Sequence, residues 1–324
     1  MFDTLGINKY DKNVMESFII TLITVAIMLA YAVPGFVTVK TGLIKKESIS
    51  AFAVILMYVC QPCLTIYSLT RVEYSWDLFL RMLEFLGLTF LLQAVVIGVF
   101  FLIFRKKHDD VRVRIANIAV AFGNVGFLGV PLLEALYPNN PETLVFSTAF
   151  LIGMNLIGWT VGSSIITRDR KFVSLKKAII NPATIGLIIA LPIFLTNTKL
   201  PSQLDNVITL LGKMTTPLCM LIMGMRLATI NVKSIFCTPF QYLVIAFKQL
   251  IFPLIALLLV WFLPVEAHFK YTMFILSCTP VASVVLNFAE MLGEGQETAA
   301  NLVLLGTMSS VLTIPLMTLI LSVL

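Results

Sequence analysis

From Ile115 to Glu134 the sequence reads IANIAVAFGNVGFLGVPLLE, with Asn124 enclosed by Gly123, Gly126, Gly129 and Pro131 in an otherwise apolar run. Glycine accepts non-helical backbone angles, and proline removes a backbone donor and clashes with the turn before it. Close helix packing through small residues is one reading of this pattern. The density of breakers favours another, a helix unwound around Asn124. The G-x-x-G-x-x-G spacing is no dinucleotide fingerprint, because no strand or soluble unit surrounds it. A second apolar run carries Ser277-Cys278-Thr279-Pro280, then Ser283 and Asn287. Two breaks meeting at one depth would aim two half-helix N-termini, each with partial positive charge, at one point. That arrangement favours a negatively charged substrate, with Asn124, Gly123, Gly126, Thr279, Ser283 and Asn287 as its expected contacts.

Two lysines interrupt further apolar stretches near their middles: Lys213, close to Pro217, and Lys248. A charge at bilayer depth costs about 2.5–3.5 kcal/mol, so it faces protein or water and marks function. Lys213 fits a counter-charge for an anion, or a lysine paired with a carbonyl. Lys248 fits neutralisation of the half-helix C-termini, where a bound cation could serve instead, with substrate or proton coupling as the alternative. Glu134, Glu290 and Glu84 fall near the ends of their stretches, where charge is cheap. They read as solvated acids, with a gate or proton relay as the second reading of Glu134 and Glu290. No pair of acids occupies a midplane, which argues against an Asp-based sodium or proton antiporter.

Enzymatic chemistry lacks its parts. There is no H-E-x-x-H, G-x-S-x-G, phosphate-binding loop or metal cluster at recognisable spacing. His108 and His268 both fall in hydrophilic breaks, so a Ser/His hydrolase within the membrane lacks its base. Cys60 and Cys63 spell C-x-x-C, but inside an apolar stretch, and read as buried small side chains. No catalytic residue, metal or cofactor is therefore expected.

The elements that must position these residues follow from composition. Of the 324 residues 59% are apolar and only 12% charged, with a mean hydropathy of +0.97. Soluble chains carry about 25% charged residues, so this chain cannot cover a water-facing surface. Soluble enzymes, disordered proteins and nucleic-acid binders are excluded, leaving an all-α polytopic membrane protein. About 20 apolar residues span a bilayer as a helix. Ten stretches meet or nearly meet that length, at about 15–38, 46–69, 79–104, 112–137, 142–166, 174–196, 203–226, 235–262, 267–292 and 297–322. The first is preceded by Asp3, Lys9, Asp11, Lys12 and Glu16 and reads as a retained span, not a signal peptide. Of the 23 lysines and arginines, fifteen fall on one face of a ten-span topology and six on the other. The basic face is cytoplasmic. Both termini are then extracytoplasmic, and the net charge of +6 reflects topology, not a nucleic-acid partner.

A shift of 155 residues lays stretches 1–5 over 6–10, placing Pro62 on Pro217, Arg71 on Arg226, Glu142 on Glu297 and Asn124 on Thr279. The identities carry little weight alone; the matching segmentation and proline depth carry more. Five helices per repeat is an odd number, so the halves are inverted, a plan of secondary transporters. The expected organisation is an extracytoplasmic segment 1–14, a first repeat 15–166, a cytoplasmic linker 167–173 and an inverted second repeat 174–324.

The run Phe122-Gly123-Asn124-Val125-Gly126-Phe127-Leu128-Gly129-Val130-Pro131-Leu132-Leu133 resembles the F-G-N-T-G-F-x-G-x-P-L-L signature of bacterial members of the auxin efflux carrier family. The Pro62 region, Pro217-Leu218, Lys248 with Pro253 and the Pro280 region are also similar to that family. The resemblance covers essentially the whole chain. It implies a ten-helix fold of the bile-acid-symporter and sodium/proton-antiporter type, with helices 4 and 9 broken and crossing at Asn124, Pro131 and Pro280. Helices 1, 2, 6 and 7 would form a scaffold that dimerises, and the others a moving body. Substrates would be organic anions: malate or malonate in bacteria, auxins in plants. Two departures stand out: a loop of about a dozen residues where many plant members have a long regulated one, and Lys213 where a small or apolar residue is expected. The expectation is a plasma- or inner-membrane carrier for small carboxylates, with a coupling proton or sodium ion left open. A sodium-coupled bile-acid-like symporter and a non-transporting ligand sensor are the alternatives.

Overall fold

The computed structural model describes residues 9–168, 182–230 and 232–323. The main helices are α1 (Met15–Lys40), α2 (Lys46–Thr70), α3 (Trp76–Lys107), α4 (Val111–Ala119), α5 (Val125–Leu136) and α6 (Glu142–Thr167). They continue as α7 (Pro182–Leu195), α8 (Ser202–Thr229), α9 (Pro239–Trp261), α10 (Ala267–Cys278), α11 (Val284–Leu292) and α12 (Gln296–Leu321). Among the described residues, seven of these (α1, α2, α3, α6, α8, α9 and α12) are long and apolar enough to cross a membrane. The fourth and ninth apolar stretches are each divided, into α4 with α5 and α10 with α11. Helix begins at Lys9, so part of the expected 1–14 segment extends the first helix. The expected linker 167–173 lies mostly outside the described residues, as does the start of the sixth stretch.

Apolar side chains point outward at helical spacing: Ile19, Ile23 and Ile27 on α1, Leu254 and Leu258 on α9, Leu312 and Leu316 on α12. Such faces are liabilities in water and are what lipid requires, because the helices satisfy their own backbone groups. Prolines shape the helices in a repeated way. Pro62, Pro131 and Pro253 each follow a widened π-turn, at Leu56–Cys60, Val125–Gly129 and Phe247–Ile251. A proline lacks its N–H and crowds the carbonyl one turn back, and the widened turn relieves both.

Helix α8 packs along α1 and α2, and α7 packs along α2. The α1–α8 contact is close: a Cβ on Gly35 would run into the Leu221 carbonyl, and one on Gly224 into that of Ala32. A second group is built from α3 against α6, α9 against α10, and α12 against α9 and α11.

Candidate functional site

The two interruptions lie side by side. Asn124 N–H donates to the Pro280 carbonyl at 2.8 Å, and Ala282 N–H donates to that of Phe122 at 3.0 Å. This antiparallel pair joins Gly123 to Val281. Backbone groups released by the breaks thus find each other, as they must away from water. The Asn124 carbonyl also accepts from Leu128 and Gly129 N–H, both at 3.1 Å, which starts α5. A Cβ on Gly123 would run into Thr279 Oγ1 and stand 3.3 Å from Lys248 Nζ, so only glycine allows this approach.

The half-helix ends are treated differently. At the C-terminus of α10, the fully buried Lys248 donates to the Ser277 carbonyl at 2.8 Å. Its ammonium also stands 4.3 Å above the Phe252 ring. Thr279 turns its hydroxyl back to the Leu276 carbonyl at 2.6 Å. The N-termini of α5 and α11 instead border a cavity of about 140 Å³, lined by Gly123, Asn124, Gly126, Ser283 and Asn287 together with Gln61, Asn155 and Arg226. One water needs about 10–15 Å³ by the same measure, so a small organic molecule fits. The remaining lining is largely apolar, with Met57, Phe127, Trp159, Ile222 and Met223.

Asn124 is buried, yet its Nδ2 has no hydrogen-bond partner among the described residues. Beside it and Ser283 lies the Cys219 thiol, a weak acceptor at best. An unpaired buried donor costs about 1–3 kcal/mol, which an acceptor entering the cavity would recover. The Asn287 amide reaches only the Met57 sulfur, at 3.8 Å. Arg226 is the one cationic side chain of the lining among the described residues. It pairs with Glu290 at 3.4 Å, both partly exposed, across the C-terminal ends of α8 and α11.

Lys213 and Lys248 are absent from this lining. Lys248 and Thr279 sit behind it on the carbonyl end of α10. Lys213 lies six residues before Cys219 on α8, about 9 Å along a helix. It lines a second cavity with Glu134, Pro131, Thr216 and Pro217. There the Tyr67 hydroxyl donates to Glu134, and Lys213 Nζ stands 5.4 Å above the Tyr67 ring. Arg71 stacks on the same ring at 4.7 Å and pairs with Asp205 at 2.7 Å. Gly129 and Pro131 lie in the first turns of α5. Pro62 sits on α2, where α7 approaches it closely at Gly186. Sequence did not single out Arg226, Gln61 or Asn155 as lining residues; an arginine at the end of an apolar stretch looks like an interfacial charge, and lone amides carry no spacing signal.

No curated protein matches the chain. The sequence model of the family described as membrane transport protein matches residues 18–173 and 166–318. Those two regions take in most of the chain, which therefore belongs to this family of membrane transporters, that of the auxin efflux carriers.

Proposed function

We propose that the chain is a secondary carrier for small organic anions, moving carboxylates of the malate, malonate or auxin-like kind by elevator-type alternating access. One observation carries this reading: two interrupted helices meet antiparallel, and the N-termini of their second halves, α5 and α11, open on a cavity that holds the unpartnered amide of Asn124. A carboxylate there would accept from Asn124, Ser283 and Asn287, within the positive ends of α5 and α11. Arg226 would add a full charge once drawn from Glu290. With a single cation in a largely apolar lining, one carboxylate on an apolar body suits the cavity better than a dicarboxylate.

On this reading α4 with α5, and α10 with α11, are each one interrupted span of a ten-span, inverted-repeat fold. The group α1, α2, α7 and α8 would be the scaffold, dimeric as the resemblance implies, and the other helices would move against it. With both termini outside, as the lysine and arginine bias favours, the cavity faces the cytoplasm. Glu134 and Glu290 each bond across the scaffold boundary, to Tyr67 and Arg226, and are where a coupling proton would act. Lys248 favours sodium-independent transport, since its ammonium takes a carbonyl that a cation at the crossover would use.

Counterflow in proteoliposomes, without an imposed ion gradient, tests the reading against malate, malonate, succinate, indole-3-acetate and taurocholate. Exchange of a carboxylate that is absent in empty vesicles is expected, with indole-3-acetate exchanging faster than malate. Binding without exchange by folded, inserted protein would contradict a carrier and favour a sensor.

A further inference from the structure

At the end of the bundle opposite the Arg226–Glu290 pair, three ligating side chains converge that sequence spacing had hidden. Glu142 stands in the first turn of α6, and Glu266 and His268 at the start of α10. His268 Nε2 lies 3.1 Å from a Glu142 oxygen, 126 residues away in sequence, and 3.1 Å from a Glu266 oxygen. One ring nitrogen carries at most one proton and cannot donate well in two directions. The three atoms all lie within 4.8 Å of one another, and so surround a common point as Lewis bases. In a tetrahedral zinc site with bonds of about 2.0–2.2 Å, neighbouring ligand atoms stand about 3.3–3.6 Å apart. The two spacings from His268, both 3.1 Å, need only a few tenths of an ångström of opening.

The surroundings hold the donors in place. The His268 ring stacks on Phe146 with 18° between planes. Arg81 grips the other Glu266 oxygen at 2.5 Å and is itself held by Asp77 at 2.7 Å. That arrangement leaves one Glu266 oxygen free, in the manner of outer-sphere contacts that orient metal ligands. Three carboxylates against one guanidinium leave two negative charges beside the imidazole. The side chains of Glu142, Glu266 and His268 are 40%, 48% and 19% exposed, so an ion and a water ligand can enter. Calcium takes six to eight oxygen ligands and magnesium a strict octahedron. One imidazole with two carboxylates suits zinc and its neighbours better.

We propose that Glu142, Glu266 and His268 form a binding site for a divalent transition-metal ion of the zinc class, with water as the fourth ligand. The ion ties α6 to α10 at the bundle end remote from the cytoplasm-facing cavity. Chelator-stripped, full-length protein in detergent tests this by zinc titration calorimetry and thermal melting. A Cys237→Ser background is used, because exposed Cys237 offers a thiolate of its own. One zinc per chain and a raised melting temperature are expected, with no response to magnesium at the same concentration. His268→Gln and, separately, Glu142→Gln should each weaken zinc binding at least tenfold while the metal-free protein still elutes and melts as a folded species. If His268→Gln fails to fold, Glu142→Gln carries the comparison. Unchanged zinc affinity in the folded variants overturns the site, as does no zinc binding by the folded parent or an equal response to magnesium.

Discussion

Lys248 brings a full charge to a position with no solvent exposure, against an insertion cost of about 2.5–3.5 kcal/mol. Its hydrogen bond to the Ser277 carbonyl adds about 1.5–3 kcal/mol, and the desolvated contact with Phe252 up to about 2 kcal/mol. These terms offset the cost without any ligand, which supports reading Lys248 as a structural cap on α10. Lys248→Met should therefore lower the melting temperature while the folded fraction keeps its substrate affinity in binding titrations. A fall in affinity with unchanged melting would assign it to the substrate. Lys213 tests the separation of the two cavities. Lys213→Ala should leave that affinity within about twofold, because its ammonium lies with Glu134 and Tyr67. At this scale Asn124, Ser283 and Asn287 were legible because polar side chains and helix breakers crowd two otherwise apolar runs. The Glu142–His268 pair was not, since its members are adjacent only in space.

Helix ends and crossings decide the elements. Asp110 caps α4 by accepting from Arg112 N–H at 2.9 Å, and its other oxygen takes the Arg112 guanidinium at 2.7 Å. That guanidinium holds the Asp110 carboxyl below the usual carboxylate range. A carboxyl depressed in the folded state stabilises above its unfolded value, near 3.9, and that stabilisation is lost as pH falls through the lower folded value. Asp110→Ala should cost about 1 kcal/mol near neutral pH, seen as a lower melting temperature. The difference should shrink as the medium is acidified below pH 4. Gly224→Ala places a Cβ against the Ala32 carbonyl and should destabilise by about 1–3 kcal/mol through the displaced α1–α8 contact. Sequence located the breaks, since glycine and proline act locally. Their pairing into the antiparallel Gly123–Val281 contact depends on two segments 158 residues apart, and no local pattern encodes it.

For the whole molecule, the apolar outward faces and the family match make a membrane transporter; composition alone reached the membrane class, and the repeat and the resemblance supplied transport. The proposed division into a scaffold and a moving body draws on packing that composition does not encode, that of α8 along α1 and α2 and of α7 along α2. Orientation has a natural reporter in Cys237, exposed between α8 and α9. In right-side-out vesicles a membrane-impermeant maleimide should leave it unlabelled until the membrane is opened, and immediate labelling would reverse the assigned topology. The central claim, an anion carried at the crossover, is tested most directly by counterflow of the exchanged carboxylate with the parent protein and Asn124→Ala side by side. Loss of at least tenfold in exchange by a folded Asn124→Ala protein is the result predicted. Full exchange with unchanged affinity would contradict the account.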